Sequence, residues 1–372
     1  MFSVKENRLS STNEKTLEYI RSLIRYQVLP DNSSDFDIKL TNNKLIFIPR
    51  YPITYRIDDS FQDKLFNAIN IGLTPRYTVI RPLTMQVETF NNSDLSRARG
   101  ISIPLRVGKP HRLICPIDEL IDEFKQTGKV PIMDQISWMP QKSPHAIITG
   151  VSGSGKSYFM RVMFEVLSSS GEVIAIDPKE SDLARLARNN PKINSDSILI
   201  PGFGDGIGLN GSFLQRVLDK LREIEKEMYS RQQALYENSR LISTNYKELG
   251  LSPIFIFIDE IAALLTGAQK KVREDFQQLL TRLVVLGRES GVYLVLSMQS
   301  ARAEYINTLV RDSLSLRVQL GRINSENTRF LFPELSEMPM IPLGGKGTGI
   351  ISINGDDMMA GIEPVATPTI VE

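Results

Sequence analysis

Gly150-Val151-Ser152-Gly153-Ser154-Gly155-Lys156-Ser157 is a complete phosphate-binding loop of the form G-x-x-x-x-G-K-[ST]. The apolar stretch Ala146-Ile147-Ile148 before it reads as a strand, and Phe159, Val162, Met163 and Val166 after it recur at helical spacing. Strand, glycine loop, helix is the setting in which backbone N–H groups can curl around phosphate oxygens without Cβ clashes. The helix N-terminus adds partial positive charge there. Lys156 can reach the β- and γ-phosphates of a nucleotide, Ser157 can ligate Mg2+, and Tyr158 stands next to the bound phosphates. The expected ligands of the whole run 150–158 are therefore ATP and Mg2+.

Outward from the loop the pattern alternates. Strands are expected at 145–149, 172–176, 198–200, 254–258, 292–298 and 316–320. Helices are expected after the loop to about Leu167, at 181–187, at 212–238 with an apolar stripe through Leu214, Leu218, Leu221 and Met228, and at 272–288. Ile254-Phe255-Ile256-Phe257-Ile258 is apolar at every position, as a strand buried on both faces must be. Strands alternating with helices predict an α/β fold, a parallel sheet with helices on both faces.

That all-apolar strand runs into Asp259-Glu260. Alone, the acidic pair fits a helix start equally well. Downstream of a phosphate loop it reads as a magnesium-orienting aspartate followed by a glutamate that polarises the attacking water. Gln299 follows the strand 292–298, whose end opens on the same sheet edge. Its amide could sense the γ-phosphate, or be an ordinary loop residue. Asp177-Pro178-Lys179 reads as a turn on that edge.

The first part of the chain is patterned differently. Ser11 and Glu14 resemble a capping box for a helix carrying Leu17, Ile20, Leu23 and Ile24, and 29–35 reads as a loop. Short strands are expected at 37–40, 44–48, 77–80 and 101–108, with a helix at 61–69. The expected division is a small α+β domain over 1–130, an α/β nucleotide-binding domain over 131–360 and a tail over 361–372.

Composition narrows the partners. The 372 residues are 41% hydrophobic and 23% charged, with a formal net charge of +1, so any polyanion surface must be local or shared between copies. Cys115 is the single cysteine, which excludes an internal disulfide, and a buried apolar role is expected for it. His111 and His145 are the only histidines and are expected to pack or hydrogen-bond rather than catalyse. No apolar run approaches the roughly 18–20 residues that span a bilayer, and no signal peptide is visible. The expectation is a cytoplasmic protein, recruited to a membrane only by a partner.

The ordered set of motifs resembles the FtsK/SpoIIIE family of DNA translocases. The matching pieces are Met139-Pro140, His145 through the phosphate loop, Ile176-Asp177-Pro178-Lys179, Ile258-Asp259-Glu260-Ile261-Ala262 and Gly291 through Gln299. The stretch 310–321 is similar to FtsK-like coupling proteins of Gram-positive conjugative elements. The resemblance covers roughly 130–355. It implies a RecA-like P-loop NTPase core and a homo-oligomeric ring, usually a hexamer, around double-stranded DNA, with a membrane-channel or relaxosome protein as a further partner. It implies a catalytic arginine supplied in trans, for which Arg317 is the first candidate and Arg311 and Arg288 are rivals. It also implies that Lys270, Lys271 and Arg273 line the DNA channel, although they equally fit a solvated helix start. Departures are the absence of membrane-spanning helices and of a winged-helix domain, and Gln299-Ser300-Ala301 where relatives have Gln-Arg-Pro. The competing functions are an FtsK-like ATPase that moves protein cargo in a secretion system, and a scaffold that only binds nucleotide.

Overall fold

The computed structural model describes residues 3–29, 35–50, 56–202, 212–323, 325–335, 344–355 and 361–371. The loop expected at 29–35 lies largely outside the described residues. The chain divides into two compact units, 1–110 with 357–364 and 111–356 with 365–372. The division falls at Pro110, ahead of the 130 expected from the pattern. The residues between are an amphipathic helix, Ile117–Thr127, whose buried Leu120 and Phe124 belong to the second unit. The expected tail carries two strands, Gly361–Ala366 and Thr369–Ile370.

The smaller unit is an antiparallel sheet backed by two helices. Strand Arg99–Val107 is its centre and pairs with Lys44–Pro49, Tyr77–Val79 and Gln86–Thr89, while Phe36–Leu40 pairs with Lys44–Pro49. Helix Asp59–Leu73 starts where Asp58 accepts a hydrogen bond from the Phe61 amide at 3.0 Å, a side-chain cap for an orphan donor. Helix Ser3–Gln27 runs through the box expected at Ser11 and Glu14, so that pair is internal to the helix rather than its start. Ile20, Ile24, Phe47, Leu65, Ile69 and Ile103 meet in one core. Glu363, in the same unit, is buried and takes a bidentate pair from Arg106, at 2.8 and 3.0 Å. Burial pushes the Glu363 carboxyl up, against the pull of Arg106.

The larger unit is built on a parallel sheet. In chain order its strands and helices are β1 (Ala146–Gly150), α1 (Lys156–Ser168), β2 (Glu172–Ile176), α2 (Asp182–Asn189), β3 (Ile198–Leu199), α3 (Ser212–Asn238), β4 (Ile254–Ile258), α4 (Ile261–Leu265), α5 (Lys270–Ser290), β5 (Val292–Met298), α6 (Thr308–Ser313), β6 (Leu316–Leu320), α7 (Ser325–Leu331) and β7 (Thr348–Ile353). The order across the sheet is β3-β2-β4-β5-β1-β6-β7, parallel except for β7. The central strands β1, β4 and β5 are buried at every position, which accounts for their unbroken apolar runs. Trp138 is fully buried and its indole N–H donates to the Ser143 carbonyl at 2.7 Å, so it packs as expected. Cys115 is half-buried rather than buried, with its thiol pushed up by desolvation.

His145 is fully buried just before β1. Its Nδ1 accepts from the Leu294 amide at 3.1 Å, which leaves Nε2–H to donate to the Val284 carbonyl at 2.9 Å. Burial lowers its pKa from 6.5 to about 4. The folded chain therefore resists a proton that the unfolded chain accepts, and stability present above pH 6.5 is lost as pH falls toward 4.

Two predictions follow from these buried groups. Acidification across that window should remove about 3 kcal/mol through His145 alone, and denaturation of a His145→Asn variant should show a flatter pH dependence than wild type. Arg106→Ala, which strands the Glu363 carboxylate, should destabilise the smaller unit by about 3–5 kcal/mol. Denaturant melts should also show Arg106→Met/Glu363→Met recovering part of that loss.

Candidate nucleotide site

Parallel register brings the sequence motifs to one edge. Gly150 ends β1, opposite Leu320 of β6, and Asp177, Asp259 and Gln299 follow the last residues of β2, β4 and β5. The loop itself turns through Gly153 (φ 80°) and Gly155 (φ 96°). Gly155 is constrained twice, because a Cβ there would also lie 2.5 Å from the Gly347 amide nitrogen. That amide donates to the Ser154 carbonyl at 2.7 Å, so the 344–347 segment props the loop from behind. Gly347 is held in turn by Thr367, whose amide and hydroxyl both donate to its carbonyl.

Lys156 begins α1 and is only 8% exposed. Its ammonium donates to Ser297 Oγ at 2.7 Å and approaches Asp259 Oδ1 at 3.3 Å, while Ser297 Oγ donates to the same Oδ1 at 2.7 Å. The strand carrying Ser297 lies between those of the loop and the acidic pair, so this hydroxyl bridges the two motifs. Ser181 Oγ approaches Asp259 Oδ2 at 3.3 Å. Asp177 is fully buried and accepts from the amides of Lys179, Ser181 and Ala184, so the Asp-Pro turn is also the anchor of α2.

Ser157 and Asp259 both line a cleft of about 590 Å³, together with Tyr158, Arg161, Leu183 and Leu186. A hydroxyl and a carboxylate oxygen are hard donors of the kind Mg2+ takes, with phosphates and water completing its shell. The donor set fits that ion. Among the described residues no cluster of three or more His, Cys, Asp or Glu could hold a metal without a substrate. Val151 and Tyr158 are partly exposed at the loop, and the Tyr158 hydroxyl accepts from the Ile370 amide at 2.7 Å.

Glu260 is 4% exposed and adopts a left-handed backbone (φ 51°, ψ 69°). Its Oε1 accepts from the Gln299 amide at 3.3 Å and its Oε2 from Lys179 at 3.1 Å. The Gln299 carbonyl accepts from Asn327 Nδ2 at 3.1 Å, while the Ala301 amide donates to Asn327 Oδ1 at 2.9 Å. The Gln299 side chain is exposed.

Arg317 is placed otherwise than the sequence offers it. It is 4% exposed, and its guanidinium donates to the carbonyls of Leu314 at 3.1 Å and Leu331 at 2.9 Å. Burial lowers its pKa, offset in part by Glu334 and Asp312. It pairs with Ile147, three residues before Gly150, which is roughly 10 Å down the strand from the loop. In this conformation it braces its own chain. Of the rivals, Arg311 pairs with Asp312, and Arg288 donates to the Gln141 carbonyl. Lys270, Lys271 and Arg273 occupy the first turn of α5. Lys270 is 91% exposed, whereas Arg273 Nε is turned back to the Ala268 carbonyl at 3.0 Å.

Ser297, Ser181 and Asn327 were not legible as site residues. A signal existed for Ser297, a lone hydroxyl near the end of an otherwise apolar run. Asn327 carried none, because its partners are 26 and 28 residues away.

No known family profile matches the chain. It is 33% identical over 217 residues to the Ftsk domain-containing protein YdcQ of Bacillus subtilis, an alignment covering 58% of this chain and 42% of that protein. It is 25% identical over 357 residues to the DNA translocase FtsK of Borreliella burgdorferi, covering 88% of this chain and 42% of the other. In sequence the chain is similar to FtsK-domain proteins and FtsK DNA translocases. This FtsK-like chain thus spans 42% of the length of each of those two relatives. The solved structure of the pCW3 conjugation coupling protein TcpA, in its monomer form with ATPγS, shares the fold with a TM-score of 0.52 at 18% identity, covering 95% of both chains. Among the described residues no helix is long and apolar enough to cross a membrane.

Asn327 ties the segment after β5 in place through both ends of its amide. Asn327→Ala should therefore cost about 1–3 kcal/mol in stability, and hydrogen exchange should show faster amide exchange at Ala301.

Proposed function

We propose that this FtsK-like chain is an ATP-hydrolysing motor for double-stranded DNA, working as a ring of identical copies in a mobile element, plasmid or phage, in the manner of a conjugative coupling protein. The observation that carries the reading is the linkage of Lys156, Ser297 and Asp259 beside the glycine loop on one sheet edge. A RecA-like assignment of the core agrees with the strand order. The relatives' names supply the DNA, and the fold shared with a coupling protein agrees with transfer to a membrane channel or from a relaxosome.

In this reading the loop 150–158 takes the triphosphate, and Lys156 leaves Ser297 and Asp259 for the phosphate oxygens. Ser157 and Asp259 would hold Mg2+, which neutralises charge on the phosphates. Glu260 polarises the attacking water, and Gln299 reads the γ-phosphate through an exposed side chain whose backbone is tied to Glu260 and Asn327. The trans cation of a ring interface is not drawn from Arg317 in its braced conformation.

Lys270 and Lys271 support a polyanion contact. Cations at a helix N-terminus face the positive end of the macrodipole and are disfavoured by about 0.3–1 kcal/mol each. Phosphates approaching that turn would meet both the lysines and the dipole, without reading sequence.

ATP turnover with and without duplex DNA tests the proposal. Turnover should rise with DNA, and Lys156→Ala should lose it by at least about 100-fold. Lys270→Ala/Lys271→Ala should weaken DNA stimulation more at low salt than at high, because the lost phosphate contacts are screened as salt rises. Turnover indifferent to DNA would favour a protein cargo, and none from the assembled protein would leave a nucleotide-binding scaffold.

A further inference from the structure

Glu260 is restrained from two sides. Its left-handed backbone lies in a region unfavourable to a non-glycine residue. Lys179 Nζ lies 3.1 Å from Oε2, and the Gln299 amide 3.3 Å from Oε1. The backbone beneath Lys179 is rigid, because the buried Asp177 carboxylate takes the amides of Lys179, Ser181 and Ala184. The Lys179 side chain is not rigid in the same way. It is 41% exposed on a flexible four-carbon stem, whereas the Glu260 side chain is 6% exposed. The mobile partner of the pair is the lysine.

We propose that Lys179 is a positioning residue that holds Glu260 at rest, and that a phosphate group arriving at the site draws the ammonium away and frees the carboxylate. The proposal rests on the ATPase reading of the same site. An ammonium in contact with the carboxylate occupies the oxygen that a water would have to approach. A γ-phosphate is the stronger competitor for that ammonium, carrying more charge on three oxygens, while a DNA phosphodiester carries a single charge and competes through the dense line of such charges along the backbone. Two sources of phosphate are at hand in this reading, the γ-phosphate of the bound nucleotide and the DNA backbone. Once Lys179 has left, only the Gln299 amide holds Glu260, and Gln299 is itself placed to register the nucleotide.

The full chain and its Lys179→Met, Lys179→Arg, Glu260→Gln and Lys179→Met/Glu260→Gln variants test this. Lys179→Met should raise DNA-free kcat several-fold while the KM for ATP stays close to wild type, and Lys179→Arg should restore the wild-type rate. The double variant should be as inactive as Glu260→Gln, which shows that the gain runs through Glu260. If the gain abolishes DNA stimulation, the DNA backbone is the phosphate that draws Lys179; if stimulation persists at the same ratio, the nucleotide is. Thermal unfolding of the nucleotide-free proteins supplies a readout apart from turnover. The Tm shifts of the two single substitutions should be non-additive in the double variant, as for side chains in contact. A Lys179→Met variant that is slower than or equal to wild type overturns the proposal, and so do additive Tm shifts. A wild-type protein that melts cooperatively but never hydrolyses ATP overturns the ATPase reading instead, and the Tm cycle then decides the restraint by itself.

Discussion

A lysine ammonium held almost out of water requires a counter-charge, and Lys156 finds one in Asp259 through the Ser297 hydroxyl. The two motifs are 103 residues apart in the chain. Their meeting depends on the strand order β4-β5-β1, which sets one strand, and one small polar side chain, between loop and acid. Much of the larger unit serves that meeting. The central strands are mostly apolar because they are covered on both faces, and the carboxylates of the site, Asp177, Asp259 and Glu260, stand just past their ends.

The site is surrounded by structural braces. Gly347 and Thr367 support the phosphate loop, Asp177 anchors α2, Asn327 fastens the segment after β5, and Arg317 ties β6 to the carbonyls of Leu314 and Leu331. A buried polar side chain is tolerated only with its hydrogen bonds made, so each of these residues imposes one arrangement on the backbone it touches. Arg317, the first candidate for a cation acting in trans, serves in this chain as such a brace. A lone arginine in a strand next to the phosphate loop looks available, and its burial and its two carbonyl partners are properties of the fold.

Strands β1 to β6 and helices α1, α2, α3 and α5 of the larger unit were legible to within a few residues, because parallel strands buried on both faces leave apolar runs and the long helices between them leave a stripe, whereas the short helices α4, α6 and α7 and the antiparallel β7 went unread. Ser212–Asn238 and Ile254–Ile258 are cases in point. The smaller unit was less plain. Its helix Ser3–Gln27 runs past an apparent capping box, since one side-chain signal does not stop a helix whose following residues pack. Helix Ile117–Thr127 went unread, although it has the acidic first turn and the Gly128 stop of an ordinary helix. Its apolar face is short, with Leu120 and Phe124 its buried residues.

Sequence alone determined the chemistry on offer: a glycine loop with Lys156 and Ser157, an acidic pair after an apolar strand, and an alternation that forces a parallel sheet. These are local, since a turn that needs positive φ and a strand that needs two apolar faces each write themselves into consecutive residues. Tertiary structure decided which of the charged residues meet. That Lys156 faces Ser297, that Lys179 reaches Glu260 and that Arg317 turns inward follow from strand order and register, which join residues tens of positions apart by contacts that leave no periodic trace along the chain.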